Sequence, residues 1–207
     1  MENISEVNDK LMRIKRSFRL VMNGVAAQSM RDKGLVYHMN WGVALPSLKA
    51  MAGEYGKDRG LAVALWNENI RECKILATLI MPPDSFSEAD ADVWMEQTPT
   101  VEIAEQASFN LYQHLPFAEG KACQWIASDS ELYNLCGYHT LSRLFMRGLK
   151  PGAECAVELL GRAAEALRGD SVAVGKAALS CLLRFAELGE GYESSGNMAL
   201  KAAGVSF

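Results

Sequence analysis

The chain has 207 residues, 49% hydrophobic and 22% charged, with a formal net charge of −4. That balance excludes a largely disordered chain and permits one substantial core, while no apolar run reaches the roughly 20 residues needed to cross a bilayer. The charge is uneven: residues 1–35 carry +3, whereas residues 84–131 carry −9, with Lys121 their sole cation.

Helical periodicity begins at once, with Ile4, Val7, Leu11, Ile14, Phe18 and Val21 spaced by threes and fours on one face. Lys10, Arg13, Lys15, Arg16 and Arg19 occupy much of the remainder, which reads first as a solvated outer face and second as a phosphate-binding one. Leu45-Pro46 opens a helix, since proline is tolerated in the first turn, and Gly56 stops it. Helices are predicted over about 58–66 and 70–81, the latter ended by Met81-Pro82-Pro83, because proline cannot continue the hydrogen-bond ladder. Ser87 is a candidate N-cap, with Glu88 and Asp90 as acidic first-turn residues. Further helices are predicted over about 100–115 (stopped by Pro116), 117–127, 130–147, 152–168 and 172–188. The tail, Gly189 to Phe207, would fray or add a short helix near Met198-Ala203.

A faint repeat runs through these helices. The turns Asn67-Glu68-Asn69, Ser128-Asp129-Ser130 and Gly169-Asp170-Ser171 each separate a helix ending from a helix opening, and the last two lie about 40 residues apart, the length of one HEAT-type helix pair. Such pairs cannot bury their apolar faces alone. The expected fold is therefore all-α, a single domain over 1–207 of HEAT-like helix-pair repeats stacked into a curved α-solenoid, with residues 190–207 as a possible frayed end.

The five cysteines are scattered and contain no C-x-x-C, which predicts buried, reduced thiols rather than a disulfide framework. The three histidines are dispersed, so no metal or cofactor is expected. The opening Met1-Glu2-Asn3-Ile4-Ser5-Glu6 lacks the basic-then-apolar pattern of a secretory signal, and a cytoplasmic location is expected. Glu88, Asp90 and Asp92 alternate like some calcium loops but lack the following glycine and glutamate, so they read as capping residues. Cys123, Cys136 and His139 read as packing residues rather than a thiol and its base.

From about Trp41 to Ala127 the chain resembles the HEAT-like-repeat alkylpurine DNA glycosylases of the DNA alkylation repair family. The resemblance lies in Trp41-Gly42-Val43 before Leu45-Pro46-Ser47-Leu48-Lys49, in Leu61 to Trp66 followed by Glu72, Ala77 and Pro82, and in Asp92-Val93-Trp94. It implies removal of N3- or N7-alkylated purines from duplex DNA. The family motif is Trp-Asp-x-x-Asp, in which aromatic rings contact the cationic base and a carboxylate stabilises positive charge developing on the sugar.

The matching stretch here is Glu102-Ile103-Ala104-Glu105-Gln106. It lacks the tryptophan and both aspartates, and Gln106 stands where the catalytic carboxylate is expected. A one-residue shift offers Glu105 instead. The candidate catalytic region is therefore Glu105 and Gln106, with Glu102, Trp41, Trp94 and Trp125 as candidate binding residues, though each tryptophan also reads as helix packing. On the next inner helix the family carries phosphate-binding arginines, and Tyr133-Asn134-Leu135-Cys136 supplies no cation. Two partners follow: alkylated duplex DNA by resemblance or, if the acidic middle lines a groove, a basic peptide, basic protein or small cationic ligand bound without catalysis.

Overall fold

A computed structural model describes residues 4–205, which form twelve α-helices and two short 3-10 turns. Among these residues the only β-type pairing is an isolated bridge between Met39 and Ile70, and no helix is long and apolar enough to cross a membrane. The chain divides between Leu111 and Tyr112 into two compact units.

The first unit holds α1 (Ile4–Phe18), α2 (Gly24–Asp32), α3 (Leu45–Tyr55), α4 (Arg59–Trp66), α5 (Arg71–Ile80), α6 (Glu88–Glu96) and α7 (Val101–Asn110). Helix α5 is its centre, packed against α3, α4 and α7. Every residue of α5 except Leu79 is buried, including Arg71, Glu72 and Lys74. Burial of side chains such as Ile75, Leu76 and Ile80 contributes about 1.5–3 kcal/mol each. Local signals fix the ends: Asp58 caps α4 by accepting from Leu61 N, and Ser87 and Asp90 form a reciprocal capping box on α6.

Several boundaries differ from the sequence reading. Helix α1 stops at Phe18, and only Ile14 and Phe18 on its apolar face are buried, Ile4 being 79% exposed. Helix α2 was not anticipated; Asn23 caps it through its side chain, and only Ala27 is buried. Gly42 (φ +68°) fits against the start of α2, where a Cβ would lie 2.1 Å from Asn23 O. The helix expected to reach Leu115 ends at Asn110, because Leu111 (φ −130°, ψ −61°) turns the chain toward the 3-10 turn Tyr112–His114 with Leu111 and Tyr112 fully buried.

The second unit holds α8 (Ala118–Ile126), α9 (Glu131–Met146), α10 (Ala153–Arg168), α11 (Val172–Ala186) and α12 (Glu190–Ala202). The predicted turns fall between α8 and α9 and between α10 and α11. Asn134 closes the former by donating to the carbonyls of Trp125, Ile126 and Ser128. Gly137 lets α8 and α9 approach closely, since a Cβ there would lie 2.6 Å from Ile126 Cγ2 and 2.7 Å from Ala122 O.

Two expectations are corrected in this unit. Cys123 on α8 and Cys155 on α10 are joined as a disulfide, their Cα atoms 5.8 Å apart, whereas Cys73, Cys136 and Cys181 are buried thiols outside any disulfide, as expected. The tail is a full helix through Ala202, held by burial of Ala199 and Leu200 and by the Tyr192 ring set edge-on to Phe185.

Candidate functional site

Helix α7 carries the stretch that the sequence singled out. Thr100 caps it, and Val101, Glu105 and Phe109 are exposed four residues apart on one face, while Ile103, Ala104, Ala107 and Ser108 face the core. Glu102 and Gln106 sit half-buried between these faces.

Glu102 is held by long-range partners. Arg71 donates to both of its oxygens, Nε to Oε2 at 2.8 Å and an Nη to Oε1 at 2.6 Å. The Tyr37 hydroxyl donates to Oε2 and also lies 2.8 Å from Thr100 Oγ1. Burial alone would raise the Glu102 pKa, but the hydrogen bonds from Arg71 and Tyr37, with the guanidinium charge, bring it below the ordinary value. Burial, together with the Glu102 carboxylate, pushes the Tyr37 phenol well above its usual range.

Arg71 is itself 4% exposed, and its other Nη donates to Val43 O at 3.1 Å and to Glu72 at 3.2 Å. Glu72 is fully buried and accepts from the backbone N–H of Trp41 and Val43. Glu102 is therefore a bidentate anchor tying α7 to α5 and to the 37–43 segment.

Gln106 is a neutral amide whose Oε1 accepts from Asn110 Nδ2 at 3.2 Å, and Asn110 Nδ2 also donates to Thr78 Oγ1 at 2.9 Å. Glu105 is exposed. On the same face, Lys49 of α3 places its ammonium 5.3 Å from the centre of the 40%-exposed Phe109 ring. This surface can offer a cation and an aromatic face to a ligand, and the Glu105 carboxylate beside them is exposed.

The tryptophans divide sharply. Trp94 is buried and stacked on Trp66, centroids 4.0 Å apart, with Phe86 edge-on. Trp125 is buried against Tyr112. These rings fill the cores of their respective units. Trp41 is half-buried at the wall of a cavity of roughly 610 Å³ that Lys15, Arg16, Arg19, His38 and Glu68 also line.

The basic stripe of α1 is thereby split. Lys10 pairs with Asp58 at 3.2 Å and Lys15 with Glu68 at 2.9 Å, while Arg13, Arg16 and Arg19 stay exposed. Sequence reading did not join α1 to Trp41; their spacing of about 22 residues carries no periodic signal.

The acidic middle turns largely outward. Glu88, Asp92 and Glu96 form an exposed stripe along α6, on the side away from Trp94 and Met95. In the second unit, Glu119, Glu154 and Glu158 line a cavity of roughly 680 Å³ beside Cys123 and Cys155. There Glu119 accepts from Gly152 N at 2.7 Å and Glu158 from Arg162 at 2.8 Å, so two of the three carboxylates are already engaged. Among the described residues no group of three or more His, Cys, Asp or Glu gathers as a metal site.

Comparison with known proteins agrees with this geometry. A family model described as DNA alkylation repair enzyme matches residues 14–187. A solved structure, described as a new family of proteins related to the HEAT-like repeat DNA glycosylases with affinity for branched DNA structures, superposes with a TM-score of 0.79. The match covers 93% of this chain and 82% of that one at 16% identity, which establishes a shared fold. No curated protein matches. With the family model spanning most of its length, and with helix pairs of the HEAT-like kind throughout, the chain belongs to the DNA alkylation repair enzyme family.

Proposed function

We propose that this protein binds DNA and does not excise alkylated bases. The observation that carries this reading is the fate of the carboxylates on α7. Glu102 is engaged by Arg71 and Tyr37, the expected catalytic position holds the amide of Gln106, and Glu105 lies on the exposed face of α7. A carboxylate stabilises a developing cation strongly only where water is excluded: two unit charges about 4 Å apart interact by ~1 kcal/mol in water and ~4 kcal/mol at a protein-like dielectric. Glu105, on the exposed face, falls nearer the weaker limit.

DNA binding is supported by the exposed cations Arg13, Arg16 and Arg19 on and just after α1 and by Lys49 beside Phe109. The structural neighbour's affinity for branched DNA points to the same ligand class. With three or four phosphate contacts, the slope of log K against log salt should be roughly −3. The alternative ligand, a basic peptide or small cation, is less well supported because two of the three carboxylates at the acidic cavity of the second unit already accept hydrogen bonds from within the protein.

The test is release of N3- and N7-methylated purines from alkylated duplex, run beside an active family member, together with titration of duplex and branched DNA at low and moderate salt. The reading requires salt-sensitive binding without base release. Excision at a rate comparable with the active enzyme, abolished by Glu105→Gln, would instead make Glu105 the catalytic carboxylate.

A further inference from the structure

The cavity beside α1 has a chemistry of its own. We infer that it is a receptor for a single unpaired nucleotide of the bound DNA, with the base against Trp41 and Arg19 and the phosphate on Arg16 and Arg19. This inference rests on the DNA-binding reading above.

Four observations converge. Its volume, roughly 610 Å³, lies in the range of about 300–1,000 Å³ typical of small-ligand sites, which suits one nucleotide and not a duplex. Its lining is divided by chemistry: Met12, Met39 and Trp41 are apolar or aromatic, while Lys15, Arg16 and Arg19 are cationic. Glu68 holds Lys15 at 2.9 Å, so Arg16 and Arg19 are the cations left for a phosphate, and a guanidinium fork suits phosphate oxygens. The Arg19 guanidinium carbon lies 5.5 Å from the Trp41 ring centre, making a composite platform of indole and guanidinium on which an unstacked base can rest.

The wall is fixed before any ligand arrives. Asn23 N donates to Trp41 O at 2.9 Å, Arg71 N donates to Met39 O at 3.0 Å, and Glu72 accepts from Trp41 N at 3.2 Å. Trp41 Nε1 is buried and has no acceptor within the protein, so the indole is held by packing and by its backbone bonds rather than by its ring nitrogen. A base inside a duplex has both faces covered by its neighbours and cannot use the platform. Unpaired nucleotides at flaps and junctions can, so the cavity would favour branched over continuous duplex DNA.

The test compares two fluorescent substrates of the same duplex sequence, one blunt and one with a short single-strand flap, titrated against the full-length protein. Flap binding should be tighter by on the order of ten-fold. Trp41→Ala and Arg16→Glu should each collapse that ratio toward one, with Trp41→Phe retaining most of it. Arg16 is exposed, so its variant keeps the experiment decisive if Trp41→Ala fails to fold. Equal affinity for the two DNAs would overturn the nucleotide site while leaving DNA binding intact. If neither DNA binds, the functional reading fails, and the cavity is judged on deoxythymidine monophosphate against inorganic phosphate: nucleotide-specific fluorescence quenching, absent in Trp41→Phe, supports the site, and its absence overturns it.

Discussion

Replacing Glu102 with glutamine separates a structural acid from a catalytic one. The substitution keeps the size of the side chain but removes its charge and one acceptor of a bidentate pair. Arg71, 4% exposed, would keep Glu72 at 3.2 Å and Val43 O at 3.1 Å but lose a charge-assisted partner that water cannot replace. Removing one member of a buried ion pair costs about 3–5 kcal/mol. Because Glu102 retains 19% side-chain exposure and Glu72 remains in place, the lower end applies, about 3 kcal/mol.

For a domain of this size each kcal/mol moves Tm by about 2–4 °C, so a fall of roughly 6–12 °C is expected in a thermal melt, with a matching shift in the urea midpoint. Glu105→Gln, on the exposed face of α7, should stay within about 0.5 kcal/mol. The pH dependence has a definite sign. The folded-state pKa of Glu102 lies below its unfolded value of 4.5, so its contribution is present above that value and is lost as pH falls through the folded pKa. Glu102→Gln should flatten this acid-side loss. An unchanged melting temperature in Glu102→Gln would refute the anchor assignment.

Three further outcomes follow from the packing. Gly137→Ala should destabilise the second unit by about 2 kcal/mol in denaturant titration despite alanine's better helix propensity, because the new methyl meets backbone at Ala122 O, which cannot move aside cheaply. Reducing the Cys123–Cys155 bond, whose cysteines are 32 residues apart in sequence, should lower stability by about 3–4 kcal/mol on the chain-entropy account, with Cys123→Ser giving the same melt as the reduced protein. Burial pushes the Lys74 ammonium down to about 8 from 10.5; between those values the unfolded chain binds more protons, so stability should rise with pH across that window, and Lys74→Met should remove the rise in urea midpoints.

The fold was legible wherever a local signal closed an element. Pro46, Gly56, Pro82 and Ser87 mark ends that the structure places within a residue or two. Helix α2 escaped notice because it buries only Ala27 and so carries no apolar period. Helix α7 ended before its proline because burial of Leu111 and Tyr112 turned the chain sooner.

At the candidate site, Glu102 could be placed on a helix face but not paired, since Arg71 lies 31 residues away and Tyr37 65. The same distance problem hid the Cys123–Cys155 bond and the meeting of α1 with Trp41. Hydropathy also misreads α5, where a charged triplet of Arg71, Glu72 and Lys74 lies inside the first unit. Lys74 is accommodated there by donating to Trp66 O at 3.0 Å, with the Trp66 ring 4.2 Å from its nitrogen.

The Glu102 anchor narrows the routes by which this scaffold could be given base-excision chemistry. An aspartate at 102 would be a methylene shorter and would draw away from Arg71, weakening the framework before it helped any reaction. A new anion is better sited one turn on, at 106, where the present amide accepts a hydrogen bond from Asn110 and takes no part in holding Arg71. The anchor and the candidate position for a new acid thus occupy adjacent turns of one short helix, and a designer can alter the second while leaving the first alone.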